Sequence, residues 1–180
     1  MSVSTSSARA AAGASVFPLL EPVLPTVQKP IQYVGGELNS TTKDWHCAPE
    51  GETVRWALMY PDAYEVGLPN QGLQILAEII NERPDGAAER TYAPWADLEE
   101  LMRANGLPLF SVDTHRAAGD FDVLAFNLSA ELTYTNLVTM IDLAGEGMTM
   151  LCVTYEMGFA RAVADGEIFM DQGEIIEEGP

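Results

Sequence analysis

The feature that most restricts the fold is an alternation of short apolar runs with amphipathic stretches, beginning at Val54. VRWALMY, residues 54–60, stops at Pro61, as a strand buried on both faces would. In GLQILAEIINE, Leu73, Leu76, Ile79 and Ile80 recur at helical spacing, with Pro84 just beyond. AERTYAP, residues 88–94, suggests a second strand. WADLEELMRANG is amphipathic, with Trp95, Leu98, Leu101 and Met102 on one face and Gly106 as its stop. LPLFSV reads as a short extended segment, and FDVLAFNLS as a buried strand. ELTYTNLVTMIDLAG then reads as a helix ending at Gly145, MTMLCVTY as a strand and EMGFARAVAD as a short helix. EIFMDQGEIIEEG closes the chain as a hairpin around Asp171, Gln172 and Gly173.

Strands separated by helices of about 10 to 15 residues point to repeated βαβ units. The expected fold is α/β: a mainly parallel, doubly wound sheet of Rossmann or flavodoxin-like type, with a C-terminal hairpin. Ligands of such sheets bind beyond the carboxyl ends of the strands. The loops after Tyr60, Ser129 and Tyr155 are therefore where a site is expected.

Ahead of the alternation, residues 1–17 are small and polar and read as a disordered leader. Pro18, Glu21, Pro22 and Pro25 interrupt the apolar part that follows, which argues against an export signal. The stretch from Val27 to Glu52 is turn-rich, and residues 18–145 form the expected main domain, with 146–180 completing the same sheet. At 47% hydrophobic and 20% charged residues, the 180-residue chain has the composition of a globular protein with its own core.

A net charge of -18 repels phosphate backbones and anionic lipid, so neither nucleic acid nor a membrane surface is an expected partner. No apolar run approaches the roughly 18 residues that a membrane-spanning helix needs, so no direct membrane insertion is expected. Cys47 and Cys152 are too widely separated for a compact metal motif and fit free thiols in a reducing cytoplasm.

Two resemblances run along the chain. VQKPIQYVGGELNS, KDW, YPDAYEVGLPNQGLQIL, ERTYAPWADLEELM, GLPLFSVDTHR and DFDVLAFNLSAELTYTNLVTMIDLAG carry the first. Over residues 19–145 they resemble the N-terminal, cobalamin-binding-like region of a family of radical S-adenosylmethionine proteins. The resemblance implies cobalamin, S-adenosylmethionine and an iron–sulfur cluster, and a radical core domain as partner. Such a cluster is held by Cys thiolates; with only Cys47 and Cys152, this chain corresponds to the accessory domain alone.

EGMTM, VTYEMGFARAVAD and IFMDQGEIIEEGP carry the second. Residues 142–180 resemble the C-terminal end of the ATP-binding subunit of polar amino acid ABC transporters, which implies Mg-ATP. Tyr155 stands where that family has its switch histidine. A phenol titrating near 10 cannot replace a histidine near neutral pH, and Tyr155 is expected to pack at the strand end. A phosphate loop needs glycines followed by lysine to neutralise phosphate, yet no lysine follows Lys43. The two resemblances meet at Asp142–Gly147, so the chain reads as a chimera joined there.

YPDAYEVGLPNQG is the leading candidate for a ligand-binding loop. Asp62, Tyr64, Glu65 and Asn70 follow a strand, and Gly72 opens a helix whose amides could receive an anion. The plainer use of Asp62 and Asn70 is to cap turns and the helix. Glu131, Tyr134 and Asn136 follow FDVLAFNLS and would line the same edge, against the alternative of capping and solvent exposure. His115, in DTHRAAG, has one residue too many before its glycine for a cobalamin-ligand signature, and His46 with Cys47 lacks a third metal ligand. No catalytic and no metal-ligating residue is assigned. The expected role is a non-catalytic accessory domain that binds a small molecule at the sheet edge. The alternatives are an ABC-transporter fragment and a non-functional fusion product, whose open sheet edges would favour self-association.

Overall fold

The computed structural model describes residues 14–38, 40, 42, 43, 53–145 and 147–179. His46 and Cys47 lie outside them, as does the leader up to residue 13. Four parallel strands form the main sheet: β1 (Val54–Tyr60), β2 (Gly86–Tyr92), β3 (Val123–Leu128) and β4 (Thr149–Thr154). Their order is β2-β1-β3-β4, with an antiparallel hairpin of β5 (Glu167–Asp171) and β6 (Glu174–Gly179) beside them. The expected α/β class and C-terminal hairpin are present. LPLFSV forms no strand; Phe110 makes only an isolated bridge to Ala117.

The helices are α1 (Phe17–Leu20), α2 (Tyr64–Gly67), α3 (Gln71–Glu82), α4 (Ala96–Asn105), α5 (Tyr134–Ala144) and α6 (Met157–Val163). Right-handed crossovers that leave β1 in one direction and return past it to β3 put α3 and α4 on opposite faces. The packing agrees: Leu58 and Ala88 join Leu73 of α3, whereas Ala57, Met59 and Ala87 join Leu98 and Met102 of α4. Leu137 and Met140 of α5 share the α4 side. Each fully buried Leu or Met contributes about 1.5–3 kcal/mol, so the α4–α5 side dominates stability.

Helix α3 turns a different stripe inward from the one expected. Leu73 is buried and Ala77 and Ile80 pack beside it, but Leu76 and Ile79 are half exposed. In α4, Leu98 and Met102 are buried and Trp95 is not. Gly106 ends α4 in the left-handed region at φ 64, where a glycine avoids the Cβ clash.

The segment before the sheet is folded from the first residues described. Ser15 bridges Arg116, and the Val16 amide donates to the His115 carbonyl at 2.6 Å. Val16, Leu20, Leu24, Val27 and Tyr33 are buried in the α4-side core. The last residues of the expected leader therefore pack rather than dangle.

The two sheet edges are treated differently. Strand β2 is buried along its length because residues 111–116 cover its free edge. There the Val112 amide donates to the Arg90 carbonyl at 2.9 Å, and the Arg90 amide donates to the Asp113 carboxylate at 2.6 Å. Strand β4 has no such cover among the described residues, and Met150, Leu151 and Val153 are about half exposed.

Candidate functional site

The order β2-β1-β3 reverses direction at β1 and β3, and the crevice beyond their carboxyl ends is the switch point where such sheets bind ligands. The candidate residues flank it. Asn136, in the first turn of α5, donates its side-chain amide to the Pro61 carbonyl at 3.1 Å, so α5 is tied to the loop after β1. Asp62 accepts from the Ala63 amide at 2.7 Å, and its carbonyl accepts from Ala93 at 3.0 Å. Asn70 caps α3 by accepting from the Leu73 amide at 2.9 Å. Gly72 is exposed within the first turn of that helix.

Tyr64 and Glu65 face the N-terminal segment instead. The Tyr64 hydroxyl donates to Glu37 at 2.7 Å, and Lys29 pairs with Glu65 at 2.6 Å while lying 4.9 Å from the Trp95 ring centroid. Burial and the Glu37 carboxylate hold the Tyr64 phenol far above its ordinary range. Burial opposes ionisation of Glu37, but the Tyr64 hydrogen bond and the Arg90 guanidinium outweigh it and hold its carboxyl low.

Glu131 is exposed, on the 3-10 turn before α5. Tyr134 stacks on Phe159 of α6, ring centroids 5.0 Å apart. Burial, then the carboxylates of Glu156 and Glu131, push its phenol upward. Tyr155 does not pack at the strand end: it is 88% exposed, just past the end of β4 at Thr154, with no covering element among the described residues. The structure thus gathers Asp62 and Asn136 at the switch point, sends Tyr64 and Glu65 toward residues 29–37, and leaves Glu131 and Tyr155 in solvent.

Two charged clusters behind the edge of β2 have no counterpart in the sequence reading. Arg90 pairs with Asp113 and, at 3.1 Å, with Glu37; the Arg90 and Asp113 side chains are only 9% and 4% exposed. Glu89 is buried and accepts from Ser111 at 2.6 Å and from Thr114 at 2.8 Å, with the Arg116 guanidinium at 4.0 Å. Burial pushes its carboxyl up, against those two hydroxyls. Charged residues in an apolar-looking run give no periodic signal of burial, because their partners lie in a distant loop.

Beyond the end of β2 lies a cavity walled by Gln32, Tyr33, Tyr64, Tyr92, Pro94 and Leu98 among others. Gly67 packs closely on Tyr92: a Cβ there would stand 2.5 Å from the ring. The sequence singled out Tyr64 as a site residue but not Gln32 or Tyr92, although both lie in stretches that carry the first resemblance.

The described residues show no complete donor set for a metal. His115 is buried between Phe17 and Phe110, and its Nε2 donates to the Tyr33 carbonyl at 2.7 Å. Cys152 is an exposed thiol on β4, and no three His, Cys, Asp or Glu among the described residues form a metal site. Lys43 serves the carbonyls of Arg83 and Gly86 at 2.5 and 2.7 Å, at the opposite end of β2 from a phosphate site.

Residues 72–151 match the family described as radical SAM proteins, N-terminal. Over 58 residues the chain is 60% identical to an uncharacterized amino-acid ABC transporter ATP-binding protein (YhdZ) of Escherichia coli, covering 32% of this chain and 23% of that protein. It is 59% identical over 58 residues to the general L-amino acid transport ATP-binding protein AapP of Rhizobium johnstonii, covering 32% and 23%. It is 52% identical over 60 residues to the glutamate/aspartate import ATP-binding protein GltL of Escherichia coli, covering 33% and 25%. The chain spans about a quarter of the length of these relatives. No solved structure matches it.

A match of 58 residues does not fit between Asp142 and Pro180, so it includes residues before Asp142, within reach of the radical SAM match. The chain is a composite: similar to the N-terminal region of radical SAM proteins across the middle of its sheet, and to amino-acid ABC transporter ATP-binding proteins toward its C-terminus.

Proposed function

We propose that this chain is a non-catalytic accessory domain of radical SAM type, which binds a small molecule at the carboxyl edge of its sheet. One observation carries this: the radical SAM match spans α3 to β4, which are elements of a single parallel sheet with two built faces. The domain holds its ligand beyond β1 and β3 and presents it to a radical core domain, its partner, in the cytoplasm. In this proposal the iron–sulfur cluster belongs to the complete assembly, since no three His, Cys, Asp or Glu among the described residues form a metal site.

Among the described residues, no helix is long and apolar enough to cross a membrane. A second reading draws on the 60% identity to an ABC transporter ATP-binding protein. In it the chain is a fragment that associates with an amino acid transporter. A third is a fusion product without function, prone to self-association through β4.

Thermal unfolding of the purified chain with hydroxocobalamin, S-adenosylmethionine or Mg-ATP separates these. A ligand that binds only the folded state raises the midpoint by mass action. A rise with hydroxocobalamin or S-adenosylmethionine is the expected result. A rise with Mg-ATP alone would transfer the assignment to the transporter reading, and the lack of any cooperative transition would leave the fusion product.

A further inference from the structure

Strand β4 extends the sheet, but its α3 face stays bare. Leu58, Ala125 and Leu151 lie in register across β1, β3 and β4, and Leu58 and Ala125 belong to the cluster under α3. Leu151 and, two residues on, Val153 therefore project on the α3 side, and both are about half exposed. No residue of β4 enters either core cluster. Wholly parallel sheets are normally covered on both faces, so among the described residues a layer is missing over β3 and β4.

Helix α3 walls this bare strip with apolar side chains. Asn81 grips the backbone of Ala88 in β2, donating to its carbonyl at 3.0 Å and accepting from its amide at 2.8 Å. Those groups belong to the free edge of β2, as does the Arg90 amide two residues on. Leu76 and Ile79 stand about 140–160° around the helix from Asn81, on the opposite flank, which faces β3 and β4. Each is about half exposed.

The dimensions and the charge indicate the occupant. Two strands are about 10 Å wide, and the six residues of β3 and of β4 run roughly 20 Å. One helix is about 10–12 Å across, and about 14 residues of it cover that length. After Arg116 the only basic residue is Arg161, and the whole chain carries a net charge of -18. A second copy or an anionic lipid surface would meet repulsion here, whereas a cationic chain would be attracted.

We infer that the face of β3 and β4 beside α3 docks a single amphipathic helix of a cationic partner protein. Its apolar stripe lies on Leu76, Ile79, Leu151 and Val153, and its Lys and Arg side chains face the acidic surface around them. The inference stands on the sheet itself and is independent of the small-molecule reading above. It also accounts for the second apolar stripe of α3, which the fold leaves unburied.

The test is an NMR titration of the full chain with a synthetic amphipathic peptide of Leu and Lys, about 14 residues long. One control replaces every Lys with Glu, and a second scrambles the Leu/Lys order to remove the helical stripe. The Leu/Lys peptide is expected to shift resonances of Leu76, Ile79, Leu151 and Val153 and to bind at least tenfold more tightly than either control. The double variant Leu76→Gln with Ile79→Gln is expected to weaken it at least tenfold, and Val153→Gln on the opposite wall to weaken it as well. Ile75→Gln, at an equally exposed position turned away from the sheet, is expected to leave binding unchanged. Melting midpoints close to that of the parent confirm that each variant is folded.

Equal binding of either control peptide would overturn the assignment, as would an equal loss in Ile75→Gln. So would shifts confined to the β5–β6 hairpin. Resonances of the four residues that move with chain concentration alone, together with a dimer in sedimentation, would put a second copy on this face instead.

Discussion

The side-chain amide of Asn136 donates to the carbonyl of Pro61 across 75 positions of sequence, at 3.1 Å, and so ties the first turn of α5 to the loop after β1. This bond closes the switch point of the sheet. It makes Asn136 a clamp rather than a free ligand group. Replacing Asn136 with Ala is expected to cost about 1 kcal/mol by removing one such bond. Urea unfolding at constant m-value measures it, and a cost near zero would mean that water substitutes for the amide.

Arg90 and Asp113 form a deeply buried ion pair. Removing one partner leaves the other charge stranded, so Asp113→Ala is expected to cost about 3–5 kcal/mol. The double variant Arg90→Met with Asp113→Leu leaves only Glu37 without its cation, still hydrogen-bonded to Tyr64, and is expected to lose less. A double-mutant cycle read by chemical denaturation decides; equal losses in the single and double variants would show that packing rather than charge sets the stability.

Glu89 is buried with its carboxyl pushed above the ordinary 4.5. The folded chain therefore binds a proton more readily than the unfolded chain at this group. Stability contributed here is present at low pH and is lost as pH rises from about 4.5 through the folded value. In Glu89→Gln that pH-dependent loss is absent. Unfolding free energies of the two chains between pH 4 and 8 are expected to diverge, with the parent falling relative to the variant as pH rises. Parallel curves would contradict this.

The β5–β6 hairpin exposes Ile168, Phe169, Met170, Ile175 and Ile176 by about half, and none joins either core cluster. Deleting residues 165–180 is expected to change stability by no more than about 0.5 kcal/mol, and to reduce concentration-dependent association, because apolar strands with open edges promote it. Thermal unfolding and light scattering measure both. A loss of cooperativity on deletion would show that the hairpin supports the sheet.

The alternating pattern from Val54 onward was legible because strand and helix periodicity are local properties of neighbouring side chains. The strands β1 to β4, the helices α3 to α5 and the hairpin all carry it, and so the α/β class could be read directly. The candidate edge was legible too, since the carboxyl ends of parallel strands follow from strand order. The inward face of α3 was not, because Leu73, Ala77 and Ile80 compete with an equally apolar stripe at Leu76 and Ile79. Only the position of β2 beneath the helix breaks that tie.

By itself, then, the sequence determined the rhythm of elements, the acidic surface and the likeness to two families. Tertiary structure alone decided which polar groups share an environment. Gln32 and Tyr92 come to wall one cavity, Glu37 meets Arg90 and Glu89 meets Ser111 only once the N-terminal segment and the 111–116 loop close around β2. Such pairings cost solvation on burial and recover it only from partners far along the chain, so no pattern of neighbours records them.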